Sequence, residues 1–256
     1  MSPARLLAAA ALLVALGGCA NDDEEPAAEP TPAPPAPTRT PTQPSAEPPP
    51  PTESTPPRPT YRSAVRRLTR EEQAAMTGVS WRPGCPLPLE RLRVVRMNHW
   101  DFAGKVRRGA LVVRDDVAEE VAEIFGRLFR DRFPIRRITP IDAYDGDDFT
   151  SIEADNTSAF NCRAATGSSE WSHHAYGIAI DLNPLENPYV LDGRTSHPGS
   201  VTYLDRDRVR PGMVVEGDAV TRAFAAAGWH WGGEWTDPVD YQHFSKLPED
   251  ADPNDG

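Results

Sequence analysis

Cysteine is scarce in this 256-residue chain, with only Cys19, Cys85 and Cys162. Neither Cys85 nor Cys162 has a second Cys or a His at structural-zinc spacing, which argues against a Cys-based metal site. Positive charge is also short: 27 Lys and Arg against 38 Asp and Glu give a formal net charge of −11. No basic stripe or stacking platform stands out along the sequence, so nucleic acid is not expected as a partner. Long apolar runs are missing after the first residues. No later segment reaches membrane-spanning length.

What the amino terminus does have is an export signal over residues 1–18. Arg5 supplies the positive start, and Leu6 to Leu16 is an apolar run too short for a stable span. The run closes on Leu16-Gly17-Gly18-Cys19, the small-residue cleavage pattern of a bacterial lipoprotein, which makes Cys19 the expected acylated residue. Acylation with more than one chain anchors stably. The expected location is therefore the outer face of the cytoplasmic membrane, facing the cell wall. In that oxidising compartment Cys85 and Cys162 either form one disulfide or remain two buried thiols.

Residues 19–61 read as the lipidated Cys followed by a disordered linker. Fifteen of the 28 prolines fall between Pro26 and Pro59, and such a segment buries too little apolar surface to offset its ordering entropy. Polyproline II at roughly 3.1 Å per residue would let about forty residues reach roughly 100 Å from the bilayer.

Residues 62–248 are long enough for one domain with its own core, with 249–256 as a tail. Thr69-Arg70-Glu71-Glu72 is a capping box that predicts a short helix closed by Gly78. Leu92 to Trp100 and Ala110 to Val113 read as strands. Val117, Val121, Ile124, Phe125, Leu128 and Phe129 make one helical face, capped by Asp115 or Asp116 and packed on a sheet. Ile135 to Ile141 reads as a short strand interrupted by Pro140. Ile178 to Leu182 reads as a buried strand, 184–211 as a long loop, and Asp218 to Ala227 as a helix with Gly228 at C′. Trp229 to Trp231 and Gln242 to Lys246 complete the sheet. The predicted class is α+β, a mainly antiparallel sheet packed with a few helices.

The chemistry concentrates late in the chain. His174 and Asp181 lie in Ser172-His173-His174-Ala175-Tyr176-Gly177-Ile178-Ala179-Ile180-Asp181, and His243 ends Asp240-Tyr241-Gln242-His243. Two imidazoles and a carboxylate make a zinc ligand set with one coordination position left for water. Asp240 is a carboxylate placed to take that water's proton. Residues three apart on an ideal strand point to opposite faces, so Asp240 must precede the strand of His243 across a turn or bulge. His99, His197 and His230 belong to no pattern and read as structural. Trp229, Trp231 and Trp235 fit either a substrate groove or the core.

These residues resemble the D-alanyl-D-alanine carboxypeptidase family of zinc peptidases, which includes L-alanyl-D-glutamate endopeptidases. Ser172, His174, Gly177, Ala179, Asp181, Asp240 and His243 fill its Ser-x-His-x-x-Gly-x-Ala-x-Asp and Asp-x-x-His pattern. Thr157 to Arg163, Asn183-Pro184 and Trp231-Gly232-Gly233-Glu234-Trp235 extend the likeness over roughly 85–245. The resemblance implies a Hedgehog/DD-peptidase-like fold, Zn2+ on His174, Asp181 and His243, and Asp240 as base. It also implies Arg163 at the oxyanion, Ser172 supporting the ligand loop or contacting a substrate carboxylate, and peptidoglycan stem peptides as substrate. The extra imidazole, His173, is expected to point away. The scissile bond stays open between D-Ala-D-Ala and L-Ala-D-Glu, and a non-catalytic wall-binding lipoprotein on this fold is the rival class.

Overall fold

The computed structural model describes residues 58–246. The expected signal, Cys19, all but the end of the linker and the 249–256 tail lie outside the described residues. In chain order the elements are β1 (Ser63–Arg67), α1 (Arg70–Met76), β2 (Leu92–Trp100), β3 (Val106–Arg114), α2 (Ala118–Arg130), β4 (Arg137–Ile138) and α3 (Asp148–Glu153). There follow β5 (Asn156–Thr157), β6 (Ala179–Asp181), β7 (Tyr189–Val190), α4 (Ala219–Ala225), β8 (His230–Trp231), β9 (Val239–Asp240) and β10 (His243–Ser245).

Helices and antiparallel sheets are mixed, so the class is α+β. The expected single sheet is divided, however. One antiparallel sheet has the order β1-β2-β3 and a second the order β6-β10-β8, while β4–β5 and β7–β9 are separate pairs, the first parallel. Alternation in β2 sends Val95 and Met97 to one face and Leu92 and Val94 to the other. The first face packs on α2 through Leu111, Val113, Val121, Ile124, Phe125 and Leu128, all nearly inaccessible. The same cluster continues through Ile180, Phe224, Trp229, Trp231 and Phe244 into the second sheet. Each such side chain contributes about 1.5–3 kcal/mol by leaving water. The opposite face holds a smaller cluster of Leu68, Met76, Leu92, Val94, Val112, Phe160 and Cys162. Cys162 and Cys85 are joined there as a disulfide, Cα atoms 6.0 Å apart.

Thr69 caps α1 as its capping box requires, accepting from Glu72 N–H while Glu72 accepts from Thr69 N–H. At α2 the expected cap is wrong. Val117 holds the N-cap position without a side-chain bond, because Asp115 pairs with Arg91 at 2.7 Å and Asp116 with Arg114 at 2.6 Å. The predicted 135–141 strand shrinks to β4, since Pro140 ends the pairing and Ile141 opens a 3-10 turn. The sequence reading also missed β1 and α3. Asp218 caps α4 through Thr221 N–H at 2.8 Å, and Gly228 follows it in the left-handed region.

The 184–211 loop is pinned rather than loose. Asn187 is fully buried, donates to the carbonyls of Leu182, Asn183 and Gly212, and accepts from Val214 N–H at 2.7 Å. This one side chain ties the exit of β6 to the segment that enters α4.

Candidate metal centre

Each member of the cluster owes its place to a local device. Ser172 caps a 3-10 turn over His173–Tyr176, its Oγ accepting from His174 N–H at 3.3 Å. Gly177 ends the turn with φ 68°, and a Cβ there would come 2.8 Å from Arg114 N, which donates to the Gly177 carbonyl. The chain then enters β6, where Asp181 is bonded on both sides. Its backbone exchanges hydrogen bonds with Ser158 at 2.9 and 3.1 Å, and in the β6–β10 ladder it stands directly opposite His243.

One ligand atom from each of His174, Asp181 and His243 falls within 4.8 Å of the others, and all three residues are buried. His174 Nε2 lies 3.2 Å from Asp181 Oδ2, and His243 Nδ1 lies 3.2 Å from Asp181 Oδ1. His174 Nδ1 donates to the Ala159 carbonyl at 2.6 Å, which puts the proton on Nδ1 and a lone pair on Nε2. That Nε2, although close to Asp181, is not aligned for a hydrogen bond and has no partner; His243 Nε2 has none either. Buried polar atoms are rarely left so. A cation held by lone pairs would satisfy His174 Nε2 and the Asp181 carboxylate together, and a backbone acceptor behind a ligating imidazole is the usual support.

Charges within the cluster are set by competition. Burial raises the pKa of Asp181, but the imidazoles of His174 and His243 outweigh it and keep the carboxyl far below its usual range. Burial lowers His174 and Asp181 more than restores it, whereas for His243 burial prevails. Asp240 is 7% exposed and is held well above the ordinary carboxylate range, by burial first and then by the Asp181 charge, with Arg163 opposing.

The register solves the spacing problem of Asp240. It ends β9, which pairs with β7, and a two-residue turn at Tyr241-Gln242 separates it from His243 at the start of β10. Gly232 makes this packing possible: a Cβ there would stand 2.6 Å from the Asp240 carbonyl oxygen and 3.3 Å from His243 Cβ. Arg163 is held by Asp148 at the start of α3, Nη2 to Oδ2 2.8 Å, and its charge is felt at His174, Asp240 and His243. Sequence reasoning did not find Asp148, which lies fifteen residues before Arg163 in an unforeseen helix.

His173 departs from expectation. Its ring is buried with its centroid 6.2 Å from that of His243, so it turns toward the centre. Burial first, then the nearby imidazoles, hold its pKa down at about 4. Trp229 and Trp231 are core residues, while Trp235 is half-buried with its ring 5.4 Å from that of His243.

A mixed α+β chain that gathers two imidazoles and a carboxylate beside a buried Asp has the construction of a hydrolytic centre. Residues 166–246 match the family model described as D-alanyl-D-alanine carboxypeptidase, the family that the sequence motifs resemble. The match takes in His174, Asp181, Asp240 and His243, and stops short of Arg163 and Cys162. No curated protein and no solved structure matches the chain significantly.

Proposed function

We propose that this protein is a zinc-dependent peptidoglycan peptidase, a D-alanyl-D-alanine carboxypeptidase that trims the terminal D-Ala from stem peptides. The carrying observation is the buried His174–Asp181–His243 cluster, its donor atoms within 4.8 Å, with the Asp240 carboxyl buried nearby. Two imidazoles and a carboxylate are the donor set of a catalytic zinc. Zinc on these residues supplies Lewis acidity toward the scissile carbonyl and toward the attacking water.

The protein's own groups do the rest. Asp240, held above the ordinary carboxylate range by burial and by Asp181, takes the proton of the attacking water and passes it to the departing amine. Arg163 stabilises the negative oxygen that develops on the carbonyl, and Asp148 fixes its guanidinium. Ser172, buried and already accepting from His174 N–H, supports the ligand turn. Trp235, half-buried beside His243, offers a wall for the peptide. The fold is of the Hedgehog/DD-peptidase kind, and acylated Cys19 with the Pro-rich linker holds the domain to the membrane within reach of the wall.

Mass spectrometry of muropeptides after digestion tests this directly. Released free D-Ala that disappears with chelator and returns with zinc is the expected result. A new amino terminus on D-Glu would instead identify the endopeptidase, and no cleavage would remove the enzymatic reading.

A further inference from the structure

A groove of about 990 Å³ opens on the outer face of the β1-β2-β3 sheet, and none of its lining residues belongs to the metal centre. Its chemistry follows from strand register. Arg62 donates its backbone N–H to Asn98 Oδ1 at 2.7 Å, and Asn98 pairs with Arg108. One row further, Ala64 pairs with Arg96 and Arg96 with Ala110. Residues two apart on a strand share a face, so Arg96 and Arg108 rise together from β2 and β3, with Arg62 beside them immediately before β1. Ala64 and Ala110, flanking Arg96, leave a low floor between them. Arg58 adds a fourth guanidinium where the chain enters the groove.

Among the described residues, none of these four arginines forms an ion pair. Glu72 feels the charge of Arg96, but Arg66 already holds both its oxygens at 2.6 Å. Like charges on adjacent strands repel, and in a chain of net charge −11 this gathering of unneutralised cations calls for an anion. The sequence shows no basic stripe because these arginines come from three separate segments that only the ladder brings together.

We infer that this groove binds a linear phosphodiester-linked polymer of the cell envelope that carries no nucleobases. Guanidinium forks match phosphate oxygens in bidentate geometry. Strands are about 4.8 Å apart, so Arg62 and Arg108, two strands apart, are based roughly 10 Å from each other. That span suits successive charges of one chain better than a single small ion. Among the described residues no aromatic side chain lines the groove, so it lacks the stacking platform that single-stranded nucleic acid uses. Its concave shape and alanine floor admit a chain, whereas a flat bilayer surface would meet only the rim.

The test uses the full chain and a fluorescent oligo(glycerol phosphate). Saturable binding is expected, weakening with salt at a log–log slope of about −2 to −3, as roughly 0.7–0.9 per neutralised phosphate would give for three contacts. Arg62→Gln/Arg96→Gln/Arg108→Gln should weaken binding at least tenfold, with an unchanged circular dichroism spectrum and an unchanged rate on a soluble stem peptide. Absence of binding by the wild-type chain, or equal binding by the triple variant, overturns the inference. Equal affinity for polyglutamate overturns it too, and preferential capture of phosphatidylglycerol vesicles would put a membrane in the groove instead. Peptide hydrolysis is read separately, so this result stands apart from that of the metal centre.

Discussion

The sharpest division of labour at the scale of single residues lies between Asp181 and Asp240, two buried carboxyls with opposite shifts. The imidazoles of His174 and His243 keep Asp181 ionised, while Asp240 is pushed up by burial and by Asp181 itself. Asp240→Asn should therefore keep its metal and lose turnover by about 10²–10⁴-fold, the usual share of a general base. Metal analysis beside a rate measurement checks both halves, and near-wild-type turnover would remove Asp240 from the mechanism. Gly232→Ala should impair the centre without touching a ligand, because its methyl would intrude on Asp240 and His243; reduced zinc affinity in a competition titration is the expected readout. That His174, Asp181 and His243 come together was legible in the sequence, since each sits in a short segment whose pattern is local. The orientation of His173 was not legible. A 3-10 turn of four residues sets it, and strand or helix periodicity says nothing about such a turn.

Among elements, the loop after β6 shows what pattern reading leaves out. Proline, glycine and aspartate make 184–211 look irregular, yet Asn187 converts it into a fixed strap with its four hydrogen bonds to backbone groups. Asn187→Ala would remove the side-chain partner of the Leu182 carbonyl and of Val214 N–H, and should destabilise the protein by about 3 kcal/mol, measurable by urea denaturation. Strand β2 was legible from its β-branched and apolar residues, and helix α2 from its period of 3.6. The division into two sheets was not, because pairing partners lie far apart in the chain: β6 with β10, and β1 with β2 across the disulfide-bearing loop. The displaced cap of α2 has a similar origin, as Arg91 and Arg114 claim the two aspartates that composition alone assigns to the helix.

At the scale of the whole molecule, the Cys85–Cys162 link closes a loop between residues 77 apart in sequence. Loop-closure entropy puts its contribution at about 4 kcal/mol, so a reductant should lower the denaturation midpoint correspondingly, and no change would show that the link is dispensable. Stability should also depend on pH through Glu186, 2% exposed and raised to about 8 by burial and by the neighbouring Asp155. Its folded-state pKa exceeds the unfolded one, so the native protein binds the extra proton. Stability is then expected to fall as pH rises from about 4.5 through 8. Glu186→Gln should flatten that decline in denaturant titrations at pH 5 and 8; an unaltered slope would assign the dependence to other groups.

The pairing of His243 with Asp181 also acts as a safeguard. Phe244 follows His243 at once, is wholly inaccessible, and stacks on Phe224 with ring centroids 3.9 Å apart. A one-residue slip of β10 would swing the imidazole to the wrong side and, in the same movement, pull that phenyl ring off Phe224. Misalignment of His243 against Asp181 thus carries a packing penalty of its own, and the greasy neighbour proofreads the polar one.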